Sequence, residues 1–575
     1  VTNKWKLCDS DKHIAQQLQE ELKINPVFCD LLVQRGIKTY DDAKSFFRPS
    51  LDNLHDPFLM KGMREAIDRL DRAIRDDEKI LIYGDYDVDG TTSVALTYTF
   101  FRNFTNKIDY YIPDRYGEGY GLSEKGVQWA KDNGYHLILT LDCGITAVDE
   151  VETANSLGID IIVGDHHLPN DEVPKAIACL DPKQEDCDYP YKELSGAGIG
   201  FKICEAYALK HDIDLGKVYD LLDYVVISIA SDIVPITGEN RVLAYYGLQK
   251  INEDPRPGVK VIFDMLRLDK EITISDLVFT IGPRINAAGR MKHASLAVEM
   301  LIDKGSLSLD KKAQVLNTNN LKRRDIDQAI TEEALNIIRE DEVLQKNYST
   351  VLYKADWHKG VIGIVASRLI ENFYRPTIVL TESNGLISGS ARSVKGFSIY
   401  DALQSCSDLL VTFGGHKYAA GLSLQEENLA EFQRRFEEVV RGSITEECLT
   451  PEIKIDAHIQ LADINDKFYK ILRQFAPFGP GNMRPVFLIE NLRDAGRSRK
   501  LNNGHLKVNV KDPATNYYFD GIGFKLGKKI DVIKHGSFDA CFNLNENEWN
   551  GRKTIQMLIK DIRKSESASH EAQSA

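Results

Sequence analysis

Nine cysteines are scattered from Cys8 to Cys541, and no two of them form a CxxC pair. An odd, unpatterned set excludes a zinc ribbon or a disulfide framework and fits the reduced thiols of a cytoplasmic protein. Long apolar runs are missing as well. No stretch is long enough to span a membrane, and the first residues, VTNKWKLCDSDKH, lack the apolar segment of a signal peptide. A membrane role is therefore not expected. An excess of basic charge is also absent: the net charge is −14, which on bulk electrostatics argues against a nucleic-acid partner. Local patches override bulk charge, however. Between Gly481 and Lys511 seven Lys or Arg face only two acids.

One further absence decides the reading of GDYDVDG, residues 84–90. Asp85, Asp87 and Asp89 followed by Gly90 have the spacing of a calcium-binding EF-hand loop. Such a loop needs a bidentate Glu at its twelfth position, and that position is Leu96. The residues before it, EKILIY, form a short β-branched apolar run that predicts a buried strand, not a helix. Calcium is excluded, and the carboxylates need another explanation.

At 575 residues the chain is too long for one core, so several domains are expected. Residues 1–60 predict a polar helical segment. Residues 61–262 alternate strand-like runs at 79–84, 136–141, 160–164, 176–180 and 225–230 with amphipathic segments, the pattern of an α/β domain with a mostly parallel sheet. Residues 263–345 read as a helical connector that includes a long helix from about Leu307 to Glu340, with a possible break at NTNN (317–320). A second α/β domain is expected over 346–445. Strand-rich residues 446–563 predict a small antiparallel barrel of OB type, and residues 564–575 a disordered tail.

The predicted strand ends carry the chemistry. KILIYG runs into Asp85, Asp87 and Asp89; LILTL into Asp142; DIIVG into Asp165, His166 and His167; VVISIA into Ser231 and Asp232. Ligands of open α/β sheets bind beyond the carboxyl ends of the strands. A single Asp after a strand is usually a turn former or helix cap, and DHH alone is a short motif. Four acidic strand ends at one edge are a different matter. Crowded carboxylates repel unless cations intervene, and oxygen ligands with one imidazole suit Mn²⁺ or Mg²⁺ better than structural zinc.

GDYDVDG, LTLDCGIT, VGDHHLP and ASDIVPI, in this order and spacing, resemble the four motifs of the DHH phosphoesterase superfamily. FGGHKYAAG (413–421) resembles the signature of its companion DHHA1 domain. Within the superfamily, PDRYGEGYGL, LSGAGIGFK, GPRINAAGRM, WHKGVIGIVASRL, SGSARS and FAPFGPGN resemble segments of the RecJ family of bacterial single-strand-specific 5′→3′ exonucleases, over roughly residues 50–560.

The resemblance implies two Mn²⁺ or Mg²⁺ ions held by Asp87, Asp89, Asp142, His166 and Asp232, with Asp142 bridging. Asp85 and Asp165 would orient the ligands, and His167 would face the scissile phosphate. Many superfamily members carry His four residues before the first motif ligand; here that position is Tyr83. Ser390 and Arg392 fall where the family holds a 5′ phosphate. Arg115, Arg284, Asn286 and Arg290 are further candidates for substrate contact, as are Gly414, Gly415 and His416. For Arg290 and His416 a purely structural role weighs almost equally. In the barrel, Tyr517, Tyr518 and Phe519 either stack on bases or fill the core.

The implied activity is two-metal hydrolysis of single-stranded DNA from a 5′ phosphate by a monomer acting in repair and recombination. Single-strand DNA-binding protein and a RecQ-type helicase are the implied partners. Two rivals remain at this point. One is a DHH phosphoesterase acting on a small substrate, for which the barrel and basic segment would be superfluous. The other is a scaffold built on a dead DHH core, against which the intact ligand set argues.

Overall fold

The computed structural model describes residues 3–291, 293–513, 517–549 and 551–565. The chain divides into two units, one formed by residues 50–449 and one by residues 1–49 together with 450–575.

The first unit begins with a five-stranded parallel sheet. Its strands are β1 (Ile80–Gly84), β2 (Ile108–Tyr111), β3 (Leu137–Leu141), β4 (Asp160–Gly164) and β5 (Ala178–Leu180), in the order β2-β1-β3-β4-β5. All pairings are parallel. The apolar runs ILIYG and LILTL are buried at every position, as expected for strands covered on both faces. The order reverses between β1 and β3, and a crevice for a ligand opens at such a switch point. Helices α1 (Val88–Phe101), α2 (Gly196–Lys210) and α3 (Leu222–Asp232) pack together over one face.

Helix α3 corrects one expectation. VVISIA (225–230) is not a strand but the middle of this helix, in which every residue from Leu222 to Ala230 is buried. A short apolar run looks alike in a central strand and in a helix buried all round, so periodicity does not separate them. Strand β2, by contrast, was not anticipated: IDYY is half-polar, and its outer face is only partly covered.

Helix α4 (Gly282–Met291) leads towards the 32-residue α5 (Leu309–Glu340), which is about 48 Å long at 1.5 Å per residue. It runs through NTNN without a break. Asn319 and Asn320 are buried, and the Asn320 side chain accepts a 2.6 Å bond from Arg323, so tertiary partners override the weak helix propensity of Asn. Beyond α5, strands β6 (Thr350–Tyr353), β7 (Thr377–Ser383), β8 (Leu386–Arg392), β9 (Leu410–His416) and β10 (Ala419–Leu424) form a mixed sheet in the order β9-β10-β8-β7-β6. Helices α6 (Ile362–Asn372) and α7 (Leu429–Ser443) accompany this sheet.

The second unit is a closed ring of five strands: β11 (Phe487–Asp494), β12 (Leu506–Lys511), β13 (Tyr518–Gly523), β14 (Phe538–Trp549) and β15 (Arg552–Lys564). Antiparallel pairings β11/β12, β12/β13, β14/β15 and β11/β14 are closed by a parallel pairing of β13 with β15. This is OB topology; the parallel pair that closes the ring, and a short parallel pairing of Ala457–His458 with Phe487–Leu488 beside it, depart from an all-antiparallel expectation. The N-terminal residues belong to this unit. Lys4–Leu7 is a strand paired in parallel with Glu452–Ile455, and the helices that follow place Phe28 against Phe468 and Phe475 in the barrel core. KWKL has no apolar run to announce a strand; its partner, some 450 positions later, defines it. Tyr517 and Tyr518 are exposed, whereas Phe519 packs half-buried on the barrel core. Of the expected tail, Lys564 ends β15 and Ser565 is buried; residues 566–575 lie outside the described residues. No helix among the described residues is long and apolar enough to cross a membrane.

Candidate metal centre

The turn after β1 places Asp87 at the N-cap of α1, where its side chain accepts from the Gly90 amide at 3.1 Å. Two residues on, Asp89 is buried in the first turn of α1. It accepts from the amides of Gly196 (2.7 Å) and Ala197 (2.9 Å) at the start of α2, and from Ser228 Oγ of α3 (2.7 Å). Asp142 follows β3 in the left-handed region (φ 60°), a conformation a short polar side chain tolerates. The turn after β4 supplies Asp165, His166 and His167, and the end of α3 supplies Asp232.

These groups converge on one ring nitrogen. His166 Nε2 lies 3.0 Å from Asp142, 3.6 Å from Asp89 and 3.7 Å from Asp232. Two overlapping sets of ligand atoms result, Asp89–His166–Asp232 and Asp142–His166–His167, each within 4.8 Å. Asp87 and Asp85 belong to neither set. Asp85 is buried behind them and accepts from the Gly121 amide at 3.2 Å.

The electrostatics favour a cation. Burial, then the charges of Asp89, Asp87, Asp232 and Asp85, drive the Asp142 carboxyl far above the usual range. Burial and the neighbouring aspartates push Asp85 and Asp232 up to about 8 and raise Asp87. Burial lowers His166. Asp85 Oδ2, Asp142 Oδ2 and His166 Nδ1 are buried without a hydrogen-bond partner, although buried polar atoms normally have one. Carboxylate oxygens with imidazole nitrogens from His166 and His167, several of the buried atoms unpaired, fit divalent cations such as Mn²⁺ or Mg²⁺.

His167 is held differently. Its Nδ1 lies 2.7 Å from Asp165, and its Nε2 lies 3.2 Å from the Tyr120 hydroxyl. Burial alone would lower this imidazole, but the bond to Asp165 and the surrounding carboxylates lift it to about 9. Asp165 in turn would rise on burial, but His167 and the Ile145 amide hold it below the carboxylate range. Tyr83 does not face the site. Buried among the side chains on the other face of the sheet, it donates to the Gly121 carbonyl at 3.1 Å and stacks on Tyr111.

A second cluster is cationic. Arg290 is lowered to about 10 by burial and by the charges of Arg115, Arg323 and Arg392. Arg392 is lowered by burial and Arg115. Ser390 Oγ accepts from Arg392 at 3.0 Å, and Gly363, in the first turn of α6, leaves only 2.8 and 2.9 Å between a would-be Cβ and these two side chains. Repelling guanidinium groups beside a helix N-terminus form a site for an anion.

Arg284 is bonded to Asn317 and to the Thr280 carbonyl and is lowered by burial and by the charges of Arg324 and Arg323, and Asn286 is half-buried on α4. Gly414, Gly415 and His416 are exposed on β9. Strand register aligns His416 with Ala419 and Ala419 with Arg392, two strand spacings or about 10 Å across the sheet. Gly415 cannot be replaced there, since a Cβ would meet the Ala419 carbonyl at 2.4 Å.

Sequence reasoning missed Ser228, Tyr120 and the α2 amides around Asp89, as well as Arg323. It also missed Asp181, which follows β5 fully buried with one oxygen unpartnered. LSGAGIGFK carried a signal for α2: a Ser cap followed by glycines that let a helix start approach closely.

Comparison with known proteins agrees domain by domain. Residues 79–229 match the DHH family, N-terminal domain; 346–442 the DHHA1 domain; and 455–561 the RecJ OB domain. Among relatives, the chain is 38% identical over 570 residues to the single-stranded-DNA-specific exonuclease RecJ of Bacillus subtilis, covering 98% of this chain and 71% of that protein. It is 32% identical to the Escherichia coli protein of the same name, covering 94% and 96%. The crystal structure of RecJ in complex with Mn²⁺ from Thermus thermophilus superposes with a TM-score of 0.85 at 26% identity, over 98% of this chain and 80% of that one.

Proposed function

Since the chain belongs to the RecJ family, we propose that it is a metal-dependent exonuclease that digests single-stranded DNA from a 5′ phosphate and releases 5′ mononucleotides. One observation carries the reading: three carboxylates from separate elements meet a single imidazole nitrogen within 3.7 Å, next to unpaired buried ligand atoms.

Asp87, Asp89, Asp142, His166 and Asp232 would hold two ions, Mn²⁺ or Mg²⁺. When bound, the ions supply a nucleophilic water at neutral pH and neutralise charge on the phosphoryl oxygens. The chain's own residues do the rest. The α2 amides fix the Asp89 carboxylate, and Asp85 and Asp165 orient the turns that carry Asp87 and His167. The bond from His167 Nδ1 to Asp165 and the surrounding carboxylates lift this imidazole to about 9 and so favour its protonated form. In that form Nδ1 donates to Asp165 and Nε2 faces the Tyr120 hydroxyl, from which the scissile phosphate or the leaving oxygen would take over the Nε2 proton. Arg115, Arg290, Ser390 and Arg392 form the anion site that would take the terminal 5′ phosphate. Arg284, Asn286, Gly414, Gly415 and His416 would line the path of the strand.

The barrel, with exposed Tyr517 and Tyr518 and its basic segment, supports binding of a longer single strand. The work would be repair and recombination in the cytoplasm, by a monomer aided by single-strand DNA-binding protein and a RecQ-type helicase. Digestion of long, 5′-phosphorylated, 3′-labelled single strands with Mn²⁺ tests the reading. Stepwise shortening in the wild type and its loss in Asp142→Ala are expected; activity confined to di- or trinucleotides would overturn it.

A further inference from the structure

Two large apolar side chains stand uncovered beside the metal centre, and the chemistry described so far uses neither. Ile233, next to the candidate ligand Asp232, is 62% exposed, and Phe279 is 78% exposed. Single exposed apolar residues are ordinary; these two differ in their backbone and in their placement. Ile233 has φ 61°, in the left-handed region where a β-branched residue is a true outlier. Phe279 sits in a π-helical turn, Leu277–Ile281, a rare irregularity concentrated at functional sites.

The two elements abut. The π-turn packs on α3, and just beyond it Gly282 approaches so closely that a Cβ would lie 2.9 Å from Ser231 Oγ. Phe279, three residues before Gly282, therefore flanks the end of α3 from which Ile233 projects. Neither side chain belongs to the surrounding hydrophobic core. Strained backbone is kept where surrounding structure or function demands it, and here it turns Ile233 outward next to Asp232 and Phe279 outward from the π-turn that packs on the same helix.

We propose that Phe279 and Ile233 form a shelf on which one nucleobase of the single strand stacks while its neighbouring phosphate occupies the metal centre. This rests on the exonuclease reading and adds a determinant of strand selection. The stacking face of a base accepts an aromatic ring whatever the sequence, but a base held in a duplex is already stacked and paired and cannot turn onto the shelf. Phe279 supplies the π face, and Ile233 closes the shelf towards Asp232.

Single-turnover digestion of 5′-phosphorylated single strands tests this, using intact strands and strands carrying one abasic residue at successive positions. Phe279→Ala should weaken substrate use on intact strands by about 5- to 150-fold, the range of one base–aromatic stack, mainly through KM, and Phe279→Tyr should restore it. An abasic residue at one position should slow the wild type by a similar factor and leave Phe279→Ala unaffected. Equal losses for Phe279→Ala on intact and abasic strands, or no loss on intact ones, would overturn the shelf. Wild-type enzyme inactive on every long strand would instead defeat the exonuclease reading itself. Because Phe279 is exposed, unchanged Tm is expected in both variants; if Phe279→Ala were unstable, Phe279→Leu keeps the bulk, removes the π face and reads the same comparison.

Discussion

Adding a single methyl group at Gly196 should inactivate the enzyme without removing any candidate ligand. Gly196 opens α2, and a Cβ built there lies 2.6 Å from Asp142 Cβ and 3.1 Å from its Cα and Cγ. Carbon atoms pack at about 3.5–4.0 Å, so roughly 1 Å must open. Neither side can retreat. The Gly196 and Ala197 amides are tied to Asp89, and the Asp142 amide is bonded to the Gly164 carbonyl at 2.9 Å with its backbone left-handed. The strain therefore falls on the two carboxylates themselves. A displacement of about 1 Å in a reacting constellation costs about 10²-fold, and overpacking costs about 1–3 kcal/mol of stability. Saturating Mn²⁺ should not restore kcat in Gly196→Ala, and the rise in Tm that the wild type gains from metal, worth about 2.7 kcal/mol at 100 times Kd, should shrink. Gly442→Ala in α7, where nothing lies within 4 Å, is the control: about 0.5–1 kcal/mol more stable, with kcat unchanged. Wild-type kcat in Gly196→Ala would refute the reasoning.

Other consequences are as direct. Arg392→Ala should raise KM for 5′-phosphorylated strands by about 10- to 100-fold, the worth of a charge-assisted bond, and erase the preference over a 5′ hydroxyl; Arg392→Lys should not rescue it, because the fork is lost. Burial lifts the Asp181 carboxyl to about 7 from an unfolded value of about 4, so its contribution to stability is full below pH 4 and is lost as pH rises through 7. Asp181→Asn should escape that loss and exceed the wild type by a few kcal/mol, on the order of 1.4 per pH unit, in urea unfolding at pH 8; a gap that does not vary from pH 4.5 to 8.5 would contradict this. Replacing exposed Arg497, Arg499 and Lys500 with Ala should weaken single-strand binding equally for all sequences and reduce the log–log salt slope by about 0.7 for each phosphate no longer neutralised.

Much of the site was legible because its chemistry sits at strand ends. KILIYG, LILTL and DIIVG are short, β-branched and bounded by acids, and the structure makes all three parallel strands. Asp232 lies beside His166, but it arrives on a helix and not at a strand end, because a helix buried on every side loses the polar stripe that would reveal its period. What stayed hidden depends on distant partners. Ser228 reaches Asp89 across 139 positions, Tyr120 meets His167 across 47, and the arginine cluster joins the turn after β2, α4, α5 and β8. No local pattern encodes such meetings. The same limit applies to Lys4–Leu7, whose strand character exists only in its pairing.

That pairing has a consequence for how the protein is made. Glu452–Ile455 leaves the ribosome some 445 residues after Lys4–Leu7. At about 5–20 residues per second the wait is roughly 20–90 s. Throughout it, Phe28, Leu31 and Leu32, which end up fully buried against the barrel core, have nothing to cover them, while residues 50–449 already carry their own complete core. The nascent chain thus trails a sticky N-terminal segment behind an otherwise finished catalytic unit, and holding that segment apart is a task for whatever chaperone meets it first.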